Sequence, residues 1–167
     1  MHSYLRYGIT AWGNASKTAL QPLKSLVNRA VRIMTFAPFG NIDIDSIYKY
    51  LNIPQLPQIS DLEIGKFIYK SQKGFLPTRN IANHFELRNA NVSHSYNLRD
   101  RRIAMNPISF NSIHGEKSIQ RRGATLWNEL SAEIRNSESL NIFKSRFKAH
   151  LIEQDQNDED DFFDILF

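Results

Sequence analysis

The stretch Ser60-Asp61-Leu62-Glu63-Ile64-Gly65-Lys66-Phe67-Ile68-Tyr69-Lys70-Ser71-Gln72-Lys73-Gly74 carries helix signals at both ends and along its length. Ser60 and Glu63 have the spacing of a capping box, in which the Ser60 hydroxyl accepts from the amide three residues on and Glu63 reaches back to the Ser60 amide. Ile64, Phe67 and Ile68 form an apolar stripe at helical spacing, while Lys66, Lys70 and Lys73 fall at i, i+4, i+7 on another face. Gly74 stands where a helix ends in the left-handed conformation that glycine adopts without a Cβ penalty. Nothing in the stretch alternates with period two, so it predicts a helix and sets the fold class as mainly α.

The flanking sequence extends that reading. Upstream, Ile44, Ile47, Tyr48 and Leu51 predict a short helix after Asp43, and Pro54 and Pro57 then predict extended chain. Before that, Asn14 to Thr18 offers loop and cap chemistry, and Pro22 fits the first turn of a helix. Leu20, Leu23, Leu26, Val27, Ala30, Val31 and Met34 keep helical spacing, with Lys24, Asn28, Arg29 and Arg32 on the other side, until Pro38 and Gly40 end the run. Tyr4, Gly8 and Trp12, with Leu5 and Ile9, predict one short, mostly buried helix starting almost at the first residue, as a truncated segment would. Downstream, residues 78–115 are rich in Asn, Ser and Arg and lack a sustained period; Ile103, Met105, Ile108 and Phe110 point to a short β-hairpin near 100–115. Ile119, Leu126, Trp127 and Leu130 predict a helix that Gly123 weakens by ~1 kcal/mol relative to Ala. A last helix, capped by Ser137 or Ser139, carries the stripe Leu140, Phe143, Phe147 and Leu151. Gln154 to Asp161 has no apolar residue and is expected to be disordered. The expected architecture is a small assembly of about six helices, a short hairpin and an acidic tail, divided as a basic body (1–152) and a tail (153–167).

Charge separates the same two parts. The 167 residues hold 21 Lys and Arg, all within 1–152 beside 10 Asp and Glu, a formal +11; the last 15 residues hold 7 acids and no base. A body of that charge attracts polyanions, and nucleic acid is the commonest. With no cysteine, thiolate zinc sites, disulfides and thiol nucleophiles are excluded. The longest apolar stretch, around Ile33 to Phe39, is too short to span a bilayer. His2, His84, His94, His114 and His150 are scattered, with no partner at metal-ligand spacing. No Gly-Lys-Ser/Thr phosphate loop and no nucleophile elbow occurs.

Seven further pieces belong together. Tyr7-Gly8-Ile9-Thr10-Ala11-Trp12-Gly13-Asn14 resembles the "YGI…WGN" segment downstream of the polymerase core in jockey-like non-LTR retrotransposon reverse transcriptases. In the family's order follow Leu23 to Phe36, similar to its "LQ-R-A-I-R-I-I" helix, and Leu51-Asn52-Ile53-Pro54 with Asp61-Leu62, similar to "L-x-I-L…DL". Phe75-Leu76-Pro77 resembles "LLP", and His94-Ser95-Tyr96-Asn97-Leu98-Arg99 resembles "HSYNTR". Lys117-Ser118-Ile119 with Arg122-Gly123-Ala124-Thr125-Leu126-Trp127-Asn128-Glu129-Leu130 resembles "SI…GAxLWNxLP", departing at Ser131, and Ser139-Leu140 with Phe143-Lys144 resembles "SLxxFKxxLK". The resemblance covers residues 4–152 and leaves out the acidic tail.

The resemblance implies a fragment of an RNA-directed DNA polymerase that lacks the palm. Such polymerases need an Asp-Asp turn between strands and an upstream Asp to hold two metal ions. The Asp160-Asp161 pair sits in an acidic run with no strand before it, so the chain is read as non-catalytic, with no cofactor of its own; Mg2+ belongs to the palm the resemblance places upstream. The expected partners are RNA or an RNA–DNA hybrid and the missing polymerase core, with no membrane and no small-molecule substrate, in an intracellular ribonucleoprotein of cytoplasm and nucleus.

Candidate nucleic-acid contacts are of two kinds. Arg99, Arg101 and Arg102 beside Tyr96 and His94 combine bidentate phosphate binding with rings that stack on an unpaired base. Arg121 and Arg122, the lysine stripe Lys66, Lys70 and Lys73, and the trio Lys24, Arg29 and Arg32 add charge, although a basic helix face is commonly only solvated. Trp12 and Trp127 read as core anchors. Two other readings stand beside this one. One is a helical protein-interaction module whose tail, Asp160-Asp161-Phe162-Phe163-Asp164-Ile165-Leu166-Phe167, docks on a partner or on the basic body. The other is a decayed element fragment without selected function. A segment separated from its polymerase core is also expected to expose an apolar patch and to fold marginally or self-associate.

Overall fold

A computed structural model describes residues 2–36, 43–76, 105 and 118–164. Among these the protein is mainly helical, with eight α-helices and no strand: α1 (His2–Arg6), α2 (Ile9–Trp12), α3 (Lys17–Thr35), α4 (Ile44–Leu51), α5 (Leu56–Gln72), α6 (Ile119–Glu129), α7 (Ala132–Arg135) and α8 (Leu140–Asp164). The mainly α expectation holds. The expected hairpin lies outside the described residues except for Met105. Two compact units divide the chain, Met1–Ser60 with Lys148–Phe167, and Asp61–Phe147.

In the first unit, α3 and α4 pack together on a core of Leu5, Ile9, Val27, Val31, Ile47, Tyr48, Leu56 and Ile59, with Trp12, Leu23, Ile44, Leu51 and Ile53 half-buried around it. Caps explain where the helices begin. The Ser16 hydroxyl accepts from the Ala19 amide at 3.2 Å, and the Asp43 carboxylate accepts from the amides of Asp45 and Ser46 at 3.1 and 3.3 Å. Both satisfy amides that a helix start leaves without an intrahelical partner. Polar ties then fix the helices. The Tyr48 hydroxyl donates to Asn28 Oδ1 on α3 at 3.0 Å, Gln58 Nε2 to the Leu151 carbonyl on α8 at 2.9 Å, and the Lys148 ammonium to the Asn52 carbonyl at 2.7 Å.

The second unit is built on aromatic side chains. Phe143 stacks on Tyr69 with ring centroids 4.6 Å apart, and lies 5.5 Å from Phe147 and 6.3 Å from Trp127. Such offset and tilted pairs add to the area that the rings bury. The Tyr69 hydroxyl, the one polar atom this residue carries into the core, donates to the Ser137 carbonyl at 2.8 Å. Glycines let the helices come this close. A Cβ at Gly123 on α6 would lie 2.5 Å from Ile68 Cδ1 on α5, and one at Gly65 would overlap the Phe147 ring. The helix-weakening glycine of the sequence is therefore a packing residue.

Several expectations need correction. The Ser60–Glu63 capping box does not start α5, which begins at Leu56, so Ser60 lies inside the helix and is buried. The N-cap is Gln55, and Gln58, three residues on, accepts from its amide at 2.7 Å, which is the reciprocal half of the same motif one turn earlier. Pro57 stands in that first turn, where a missing N–H leaves no bond unmade, so the extended chain expected around Pro54 and Pro57 is cut back to the residues before Leu56. Pro22 is well inside α3 and not in its first turn. The single helix expected around Tyr4 to Trp12 is two, broken at Gly8 with φ 63°, and Tyr4 is exposed. The acidic segment expected to be disordered is helical as far as Asp164. Once the turns bearing Phe143, Phe147 and Leu151 are packed, further turns require only propagation, and the costly nucleation step is already complete.

Candidate nucleic-acid interface

The basic candidates separate by unit and by face. In the first unit, Lys24, Arg29 and Arg32 share α3, but not one side of it. At about 100° per residue, Arg29 and Arg32 lie within about 60° of each other, whereas Lys24 is about 140° from Arg29. Arg29 and Lys24 are exposed and Arg32 is half-buried. Around them the sequence is free of opposing charge, since the first acidic residue of the chain is Asp43. The expected trio is thus a pair plus an outlier.

In the second unit, α5 carries Lys66 and Lys70 on the side away from α6, and Lys73 follows just after its last residue. Asp61 and Ile68 mark the side facing α6, through an Arg122–Asp61 ion pair of 2.5 Å and the close approach at Gly123. The lysines lie about 120–180° round the axis from Asp61. Arg122, turned to Asp61, therefore lies apart from the lysine stripe. Within the stripe, Lys66 pairs with Glu63 at 2.6 Å, and the Lys73 ammonium lies 5.6 Å from the centroid of the Tyr69 ring. The Arg122–Asp61 pair is largely shielded, with side-chain exposures of 31% and 16%, which marks Arg122 as a clamp between α5 and α6 more than a phosphate ligand. Arg99, Arg101, Arg102, Tyr96 and His94 lie outside the described residues.

Two features escaped the reading of the sequence. Asn128 holds the backbone of Met105 with its side-chain amide, accepting from the Met105 N–H at 2.8 Å and donating to the Met105 carbonyl at 3.0 Å. Met105 is buried. An amide side chain offers one acceptor and two donors, so it imitates a strand neighbour for one residue. Only the position of Asn128 right after a buried Trp127, at the end of α6, could have pointed to it. The second feature is Arg135, which is buried and was not singled out. Trp127 is a core anchor as expected, and Trp12 is half-buried, its Nε1 donating to the Tyr7 carbonyl at 2.9 Å.

Among the described residues, Tyr48 is a titratable group set apart by its surroundings. Burial first, and the nearby Asp45 carboxylate second, push its hydroxyl above the ordinary tyrosine value. Among the described residues no group of three His, Asp or Glu is arranged to hold a metal ion, and no helix is long and apolar enough to cross a membrane. Comparison with protein-family models, curated proteins and solved structures gave no match.

Proposed function

We propose that the chain is a non-catalytic, helical accessory segment of a retrotransposon reverse transcriptase, and that its basic body binds RNA template or an RNA–DNA product through phosphate contacts. One observation carries the reading: all 21 Lys and Arg fall within residues 1–152, where only 10 acids oppose them. The motif order from Tyr7 to Lys144 supports the family part of it. The charge on α3 and just past the end of α5 supports the binding part, because Lys24, Arg29 and Lys73 are solvent-exposed. Contacts of this kind position a nucleic acid without reading its sequence. The site of action in this reading is an intracellular ribonucleoprotein, and the metal chemistry belongs to the polymerase core.

Filter binding of the full chain to a mixed-sequence RNA–DNA hybrid, over rising salt, tests it. About six phosphate contacts give a log–log slope near −5, using the duplex DNA coefficient. A flat salt response, or no retention at low salt, removes the nucleic-acid role. A second reading, a helical protein-interaction module, is favoured by the exposed apolar side chains Leu26, Ile33 and Phe36 on and just after α3.

A further inference from the structure

Helix α3 has two apolar faces, and the core uses one of them. Val27 and Val31 are buried with Leu23 half-buried beside them. On the other face Leu26 is 60% exposed and Ile33 63%, with Phe36, the αL residue closing the helix, at 92%. Pro22, Leu26, Arg29 and Ile33 follow one another at spacings of four, three and four, which is the seam that a second helix occupies. Exposed apolar residues scattered singly need no explanation, but a contiguous stripe does.

Charge decides the occupant. Residues 1–42 contain five bases and no acid. Arg29 lies within the seam and Arg32 at its edge, so a second α3 laid against this one would set like charges opposite each other, which disfavours that pairing. The complement is a segment that mixes large apolar groups with carboxylates. Residues 153–167 have that composition: 7 acids, no base, and Phe162, Phe163, Ile165, Leu166 and Phe167. Leu26, Ile33 and Phe36 stay exposed in the single chain, so the segment that covers them comes from a second copy.

We propose that the exposed stripe of α3, Leu26, Ile33 and Phe36 with Arg29, is the docking site for the acidic, aromatic C-terminal segment of a second copy of this chain. Reciprocal exchange of the two segments closes a twofold dimer. Apolar contact supplies most of the attraction, and the Arg29 and Arg32 side sets orientation and makes association weaker in high salt. The dimer does not depend on nucleic-acid binding, and either can fail without the other.

Sedimentation of the full-length chain over a wide concentration range is the test. Three proteins are compared: the unsubstituted chain, Ile33→Asp, and the double substitution Phe162→Asp, Phe163→Asp. Ile33 is exposed in the monomer, so its substitution leaves helix content by circular dichroism unchanged. The unsubstituted chain is expected to dimerise, and each variant to dissociate at least tenfold more readily. Mixing the two variants restores one of the two contacts, an intact α3 seam with an intact terminus, and is expected to recover a heterodimer that neither variant forms alone. A chain that stays monomeric at every concentration overturns the proposal. So does a dimer indifferent to both substitutions, or a mixture that behaves as the sum of its parts.

Discussion

Gly65 of α5 lies against the ring of Phe147 on α8, so close that a single methyl group at residue 65 would overlap the ring edge. The ring itself is 1% exposed and packs on Phe143, so it has nowhere to move. Two effects oppose each other in Gly65→Ala. Helix propensity favours alanine by ~1 kcal/mol. Overpacking a tight core costs ~1–3 kcal/mol or more. With a rigid aromatic as the obstacle, the second wins, and the variant is expected to melt several degrees lower than the parent. An unchanged or higher melting temperature would show that the α5–α8 approach is looser than described.

Asn128 is the second small residue whose identity matters more than its size. Its amide makes both backbone hydrogen bonds to Met105, a residue 23 positions away. Asn128→Ala leaves a buried backbone N–H and carbonyl without partners, which costs ~1–3 kcal/mol. Asn128→Asp keeps an acceptor for the Met105 N–H but sets a carboxylate against the Met105 carbonyl, so it is expected to be no better. Denaturant unfolding of both variants checks this, and a loss confined to Ala would mean that only the N–H bond contributes.

Legibility in the sequence followed the range of the interaction. Periodic apolar spacing found α3, α4, α5, α6 and α8, because a helix face is decided by residues three and four apart. Gly74 was legible for the same reason: at φ 72° it lets the Phe75 amide reach the Lys70 carbonyl at 2.9 Å, a closure contained within one turn. The start of α5 was misread because Ser60-Asp61-Leu62-Glu63 and Gln55-Leu56-Pro57-Gln58 both satisfy capping chemistry, and burial of Leu56 and Ile59 favours the longer helix. The basic site was legible as composition only. Whether Lys66 or Arg122 faces a nucleic acid or a carboxylate depends on Glu63 and Asp61, and the Arg122 partner lies 61 residues away, beyond the reach of any local pattern.

Tyr48 gives the first unit a pH dependence. Its pKa is raised by burial, and secondarily by Asp45, above the ordinary tyrosine value of 10.0. A group whose folded pKa exceeds its unfolded one contributes stability that is complete below the unfolded value and is lost as pH rises through the folded one. Stability is therefore expected to fall above that value in the parent, and to fall less in Tyr48→Phe. At neutral pH the same substitution costs ~0.5–1.5 kcal/mol, because it removes the hydrogen bond to Asn28. Denaturant midpoints at neutral and alkaline pH should thus converge or cross, and parallel curves would rule out Tyr48 as the source.

Arg29 and Arg122 separate binding from structure. Arg29 is exposed on α3, a helix that contains no acidic residue, whereas Arg122 is engaged by Asp61. In the nucleic-acid reading, Arg29→Gln removes one phosphate contact and makes the salt slope shallower by about 0.9 on duplex DNA, with little change in melting temperature. Arg122→Gln is expected to do the reverse, lowering stability by up to ~1 kcal/mol for a partly shielded pair and leaving the slope in place. Equal slopes for Arg29→Gln and the parent would take α3 out of the interface.

Helix α8 should not be equally firm along its length. Through Leu151 it is held by Phe143, Phe147 and the bond from Gln58 to the Leu151 carbonyl. From Gln154 to Asp161 it has no apolar residue, and the acids from Glu153 to Asp164 lie at the negative end of the helix dipole. Asp155 with Asp158 and Glu159, and Asp160 with Asp164, are like-charge pairs at i,i+3 and i,i+4, each unfavourable by ~0.2–0.5 kcal/mol. Amide exchange in dilute chain is therefore expected to be fast from Gln154 onward and slow from Phe143 to Leu151. Added salt should slow the first group more than the second, because it screens only the repulsion. Uniform protection across the whole helix would mean that the acidic turns have a partner even in the monomer.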